Sequence, residues 1–261
     1  DLSCITEVTG RLEIESTNAT SIDLSGLTSV DDEVEIHDNI DLETINLSSL
    51  TSVDGPMYVQ SNNELLTVDM SSLSSIDGQV RITDNPELET YELDALISVN
   101  SLLEVNTNHK LENFNMASLE EVVGTFEFVH NEVIQTISAP SLSEVHGNFY
   151  VNNNYQVEDI GFPALETVSG TININNNQEL ETINLDSLQE IDSYFEFRSN
   201  YKVEIFSLPV LDYVGGIFQI EDNHDLLEIS APLLSTIGIK LEIRRSYDLH
   251  TIDFSSIECV S

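Results

Sequence analysis

The chain carries 47 acidic residues against 8 Lys and Arg, with six histidines and two cysteines. Carboxylates in that number can do three kinds of chemistry. Paired at the right separation, they cleave glycosidic bonds. Grouped as oxygen donors, they hold calcium. Joined by histidine, they hold transition metals. The spacing does not favour catalysis. No nucleophile elbow, phosphate loop, zinc spacing or dinucleotide fingerprint is present. His37, His109, His130, His146, His224 and His250 include no pair at metal-ligand spacing. Calcium has the better case. Asp38-Asn39-x-Asp41, Asp84-Asn85-x-Glu87 and Asp222-Asn223-x-Asp225 each put oxygen donors on one short turn, as a hard cation prefers. None completes a calcium-loop signature. Calcium is the one cofactor the sequence raises, and a thermal melt with and without Ca2+ tests it. The expectation is a non-enzymatic protein.

A repeat positions these residues. Cutting the chain at residues 30, 53, 76, 99, 122, 145, 168, 191, 214 and 237 gives ten blocks of 23 residues. VDGPMYVQSNNELLTVDMSSLSS and VSGTININNNQELETINLDSLQE are two of them. A first copy begins at Val8 and is one residue shorter, for eleven in all. Let the leading residue of each block be position 1. Positions 5 and 7 are apolar around a polar position 6, and positions 16 and 18 mostly repeat that alternation. A period of two means strand rather than helix. Each block therefore holds strands near positions 4–8 and 14–18, and a third short side near 20–23. Glycine at position 3, as in Gly55, Gly78, Gly124, Gly147, Gly170 and Gly216, reads as a corner residue with positive φ. Proline at position 19 (Pro140, Pro163, Pro209, Pro232) helps end the second strand.

One block cannot bury enough apolar surface to fold alone, so neighbours must stack. Equal block lengths let each strand lie parallel to its counterpart in the next turn. The expected fold is all-β: one right-handed parallel β-solenoid of about eleven 23-residue rungs, forming a single domain over residues 1–261. Position 10 marks the stacking. It is Asn in nine successive rungs: Asn39, Asn62, Asn85, Asn108, Asn131, Asn154, Asn177, Asn200 and Asn223. A buried Asn at a turn can donate to and accept from adjacent rungs, which makes this column a structural ladder. Two outward columns are candidates for ligand contact. Position 6 includes Tyr58, Arg81 and Tyr150, and faces out from a flat sheet. Position 11 ends in Tyr155, Gln178, Tyr201, His224 and Tyr247, a row of rings suited to stacking on sugar or on a partner.

The rung pattern I-x-G-x-L-x-I-x-x-N-x-x-L-x-x-I-x-L-x-x-L resembles the receptor L-domain, a leucine-rich-repeat-like β-helix. IDGQVRITDNPELETYELDALIS and VGGIFQIEDNHDLLEISAPLLST carry the resemblance, which covers essentially the whole chain. It is also similar to fungal GPI-anchored cell-wall-organisation proteins of the sporulation-specific type. The resemblance implies extracellular display, N-glycosylation, and recognition or wall-building roles.

The net charge of −39 repels nucleic acid and anionic bilayers. No apolar run approaches the ~20 residues that span a bilayer. The chain opens DLSCITEV, with neither a basic nor an apolar leader, so export or anchoring would act through a removed or missing segment. Asn18-Ala-Thr and Asn46-Leu-Ser are glycosylation sequons. Cys4 and Cys259 lie about ten rungs apart, roughly 48 Å at ~4.8 Å per step. A disulfide needs Cα atoms within ~7 Å. Both cysteines are therefore read as pairing outside this chain. Together these features point to a cell-surface or extracellular module that recognises a protein or glycan. The alternative is a structural subunit that assembles end to end.

Overall fold

In the computed structural model the chain winds into a stack of rungs with three sheet faces. The structure describes every residue except Asp1, Ser3, Glu258 and Ser261, and describes only the backbone of Cys259 and Val260. All sheet pairing is parallel, and each strand bonds to the equivalent strand one rung away. The broad sheet has eleven strands of four or five residues at positions 5–8, from Leu12–Glu15 to Lys240–Arg244. A second sheet gathers three-residue strands at positions 15–17, such as Thr44–Asn46. A narrow sheet of twelve two-residue strands completes the wall, from Glu7–Val8 to Cys259–Val260. Among the described residues no helix is long and apolar enough to cross a membrane.

The third side lies later than the expected positions 20–23. Its strands join the last residue of one rung to the first of the next, as in Glu121–Val122. The intervening residues are held in a turn in which the position-21 amide donates to the position-18 carbonyl. Leu50 N to Leu47 O is 2.9 Å, and Leu73 N to Met70 O is 2.9 Å. A matching turn bonds position 13 to position 10, as in Leu88 N to Asn85 O at 3.1 Å. A third local device fixes the end of the second strand. The position-17 Oδ1 accepts the position-19 amide in Asp23–Ser25, Asn46–Ser48, Asp69–Ser71, Asn184–Asp186 and Asp253–Ser255. The Ser25 hydroxyl and amide hold the Asp23 carboxyl below the ordinary carboxylate range.

The core is a single column. Val30, Val34, Ile36, Leu42, Ile45, Leu47 and Leu50 of one rung are at most 1% exposed, and their counterparts repeat up the stack. Rings stack on rings where the sequence is aromatic. Phe126 and Phe149 lie 5.0 Å apart and nearly parallel, with Phe162 edge-on to both.

Positive φ occurs at position 9 and not at position 3. Eleven residues from Ser16 to Arg245 hold φ between 52° and 59°, and no glycine has positive φ. This left-handed residue follows the broad strand and turns position 10 inward. The position-3 glycines serve close approach instead. A Cβ on Gly147 would lie 2.6 Å from the Gly124 carbonyl carbon and oxygen. A Cβ on Gly10 would meet nothing within 4 Å. Gly147→Ala should therefore cost about 1–3 kcal/mol, the usual range for overpacking. Gly10→Ala should be near neutral. Paired urea denaturation curves check both.

Candidate functional site

The nine ladder asparagines have no exposed surface. Each backbone N–H from Asn39 to Asn200 donates to the Oδ1 of the next Asn, at 2.9–3.2 Å. Each Nδ2 donates to the position-7 carbonyl of the rung before, as Asn131 does to Val105 O at 2.9 Å. At the first rung, Thr17 donates its amide and hydroxyl to Asn39 Oδ1. These side chains are spent inside the wall and offer nothing to a ligand.

The position-6 and position-11 residues separate onto different surfaces. Tyr58, Arg81 and Tyr150 lie on the broad sheet, where Arg81, Glu104, Glu127 and Tyr150 occupy consecutive register positions. Arg81 Nε lies 3.2 Å from Glu104 Oε2. Burial, then the Glu104 charge, pushes the Glu127 carboxyl above its usual range, against the pull of Arg81. Burial and Glu127 likewise raise the Tyr150 phenol. Tyr155, Tyr201, His224 and Tyr247 sit at the turn beyond the broad sheet. Tyr201 and His224 stack at 4.7 Å, and His224 tilts toward Tyr247 at 6.5 Å.

Charged neighbours already occupy the three calcium candidates. Asp38 pairs with His37 at 3.0 Å, Glu87 with Lys110, and Asp222 with Arg245 at 3.5 Å and Arg198 at 3.7 Å. Asp41 and Asp225 are exposed, as is Asp84. Among the described residues, possible metal-ligand atoms of three or more side chains converge elsewhere. Glu13, Glu15 and His37 form one group, and Glu121, Glu144 and His146 the other, each within 4.8 Å. Both groups span rungs, so linear spacing does not reveal them. Asn18 is exposed, and Asn46 is partly exposed with its Oδ1 held by Ser48 N. Cys4 is exposed with a free thiol. The side chain of Cys259 lies outside the described residues, but its backbone forms the far edge strand of the narrow sheet from Glu7–Val8.

One buried carboxylate sits at the far end of the broad sheet. Glu221 is 3% exposed and bonds Arg244 at 2.8 Å and Arg245 at 3.0 Å. Burial works against its charge. The Arg244 hydrogen bond, with the charges of Arg244, Arg198 and Arg245, outweighs burial and holds its pKa below the ordinary value. A lowered folded-state pKa adds stability above the unfolded value of about 4.3, and that stability is lost as pH falls through the folded value. Wild type should exceed Glu221→Gln in urea midpoint at pH 7, and the gap should shrink steadily toward pH 3.

The winding, the Leu and Asn columns and the three-sided section together define the fold. The chain is an all-β parallel β-solenoid of about eleven rungs. No family model matches it, and no curated protein matches it. Among solved structures it is similar to a leucine-rich repeat protein from Bacteroides ovatus, at 13% identity and a TM-score of 0.32. That match covers 95% of this chain and 90% of the other. A likeness so loose says nothing about activity. None of these comparisons returns receptor L-domains or fungal cell-wall proteins.

The charge-free part of the broad sheet is legible only once the outward positions are known. Positions 4, 6 and 8 face out. In the rungs from Val145 and Val168 they are Asn148, Tyr150, Asn152, Thr171, Asn173 and Asn175. The rung of Pro56, Tyr58 and Gln60 is also uncharged, and every other rung carries a charge at one of these positions.

Proposed function

We propose that the chain is a non-enzymatic recognition and scaffolding module displayed outside the cell, with the broad sheet as its contact face. The observation that carries this reading is the sheet itself. Eleven strands in register hold side chains of differing chemistry at fixed ~4.8 Å spacing on a stiff wall. Partners are a protein or a glycan at the cell surface. The rung pattern's resemblance to receptor L-domains and to fungal wall proteins supports the extracellular setting. Glycans at Asn18 and Asn46 would fit the same setting. The aromatic row at Tyr201, His224 and Tyr247 offers a second contact strip at the adjoining turn. Calcium at the Asp38, Asp84 and Asp222 turns would have to displace the present ion pairs.

The test is an array of extracellular proteins and glycans probed with the purified chain. Binding should fall with Arg81→Ala plus Glu104→Ala on the broad sheet and persist with Asp186→Ala in the turn that follows the second sheet. Binding that only Asp186→Ala disturbs, or no binding at all, would overturn the assignment.

The exposed Cys4 thiol favours a second reading, a subunit that assembles end to end through disulfides. Sedimentation with and without reductant separates the two. Reductant-sensitive filaments would establish assembly, and a monomer in both conditions would remove it.

A further inference from the structure

The geometry points to an uncharged oligosaccharide or polysaccharide as the ligand of the two adjacent charge-free rungs on the broad sheet, those of Val145 and Val168. This inference rests on the recognition reading and narrows it to one place and one ligand class.

The six outward side chains there are four amides, one threonine and one tyrosine, in a molecule of net charge −39. Some of their hydrogen-bonding capacity is used between rungs. Asn148 Oδ1 accepts Thr171 N at 2.9 Å, and Asn152 Oδ1 accepts Asn175 N at 2.8 Å. Asn173 Nδ2 donates to Glu196 at 3.2 Å. The other half of each amide is left over. Asn173 Oδ1 and Asn175 Oδ1 are buried atoms without a hydrogen-bond partner. Buried polar atoms are normally paired, and one left unpaired costs about 1–3 kcal/mol. Two such oxygens lie on adjacent outward positions of one strand, and a side-chain rotation that exposes them would let ligand hydroxyls supply the missing donors. The Nδ2 groups of Asn148 and Asn152, one rung below, are the complementary donors. Tyr150 supplies a ring on the same surface, an apolar body with a polar tip.

Hydroxyl groups satisfy this set best, because each can both donate and accept. A polyanion is repelled by the surrounding carboxylates, and a polycation would pair with Glu127 and Glu196 at the borders of the patch and leave its amides unmatched. A second copy brings another −39. The patch holds six outward side chains, against the roughly 20–30 residues a side of a stable protein interface. A neutral glycan avoids each of these penalties.

The experiment is calorimetric titration of the full chain with laminarihexaose, cellohexaose and mannohexaose, alongside polygalacturonate and hyaluronan. At least one neutral hexasaccharide should bind. Asn173→Ala plus Asn175→Ala should weaken that binding at least tenfold, with circular dichroism unchanged. If the double variant misfolds, hydroxyl-radical footprinting of the wild type replaces it and should show protection at Tyr150. Failure of every neutral probe, binding of the charged probes alone, or protection confined to other rungs would overturn the inference. The recognition reading would survive any of these results if the protein and glycan array still bound the broad sheet. An empty array as well would remove both.

Discussion

Asn131→Ala should destabilise the solenoid by about 3 kcal/mol or more. The Asn131 side chain makes a full set of bonds in a site with no exposure. Its Nδ2 donates to Val105 O at 2.9 Å and to Val129 O at 3.1 Å. Its Oδ1 accepts from Asn108 N at 3.2 Å. Truncation leaves the Asn108 amide and two carbonyls short of partners where water cannot replace them, and each orphaned buried group costs roughly 1–3 kcal/mol. Asn63→Ala is the control. Asn63 is exposed one position beyond the ladder, and its loss should stay within about 0.5 kcal/mol. Urea denaturation followed by circular dichroism measures both. A stack of rungs is held by nearest-neighbour contacts, so unfolding need not be all-or-none. Amide exchange should therefore show the Asn131→Ala loss first in the rungs from Val99 to Asn153. Equal, small effects for the two variants would refute an energetic role for the ladder.

Phe149→Ala should cost about 3–5 kcal/mol, the range for deleting a buried ring. Phe149 is fully buried, stacks on Phe126 at 5.0 Å and meets Phe162 edge-on at 4.8 Å. Those rings come from two successive rungs, and Val168 and Ile172 follow them in a wall already closed by the sheet bonds. The stack cannot collapse onto the gap without breaking register, so the cavity persists. Phe149→Leu keeps most of the buried surface and should lose markedly less. A denaturation midpoint for Phe149→Ala within error of wild type would show that the rungs relax into the space.

Much of the architecture follows from one-dimensional order. Equal block lengths and the apolar residues at positions 5, 7, 16, 18 and 21 specify strands, parallel register and a single core. Those constraints are local alternation plus repetition, and both are visible in a string of letters. Asn at position 10 is legible for the same reason. A polar residue kept at one point of an apolar pattern has to be bonded inside.

Other features are set by contacts between rungs. Glycine at position 3 is visible in the sequence, but its cause is the carbonyl of Gly124 pressing on Gly147, not the φ angle of the residue itself. The left-handed turn falls at position 9, where six of the eleven residues are Asp, Asn or His, the non-glycine types that adopt it most readily, and the others are Ser, Thr and Arg. At Ser, Thr and Arg the tertiary stack imposes that conformation against local preference. The second sheet divides between Thr182–Asn184 and Ile205–Ser207 although the repeat runs through without interruption. Nothing in the block sequence signals that division. The carboxylates and histidines that opened the question of chemistry show the same limit. Their number and their turns are read directly from the chain. Stacking decides which of them meet: it pairs Glu87 and Asp222 with cations of neighbouring rungs and brings Glu121, Glu144 and His146 together. Side chains a whole repeat apart become neighbours at ~4.8 Å, and a distance of that kind exists only once the solenoid has closed.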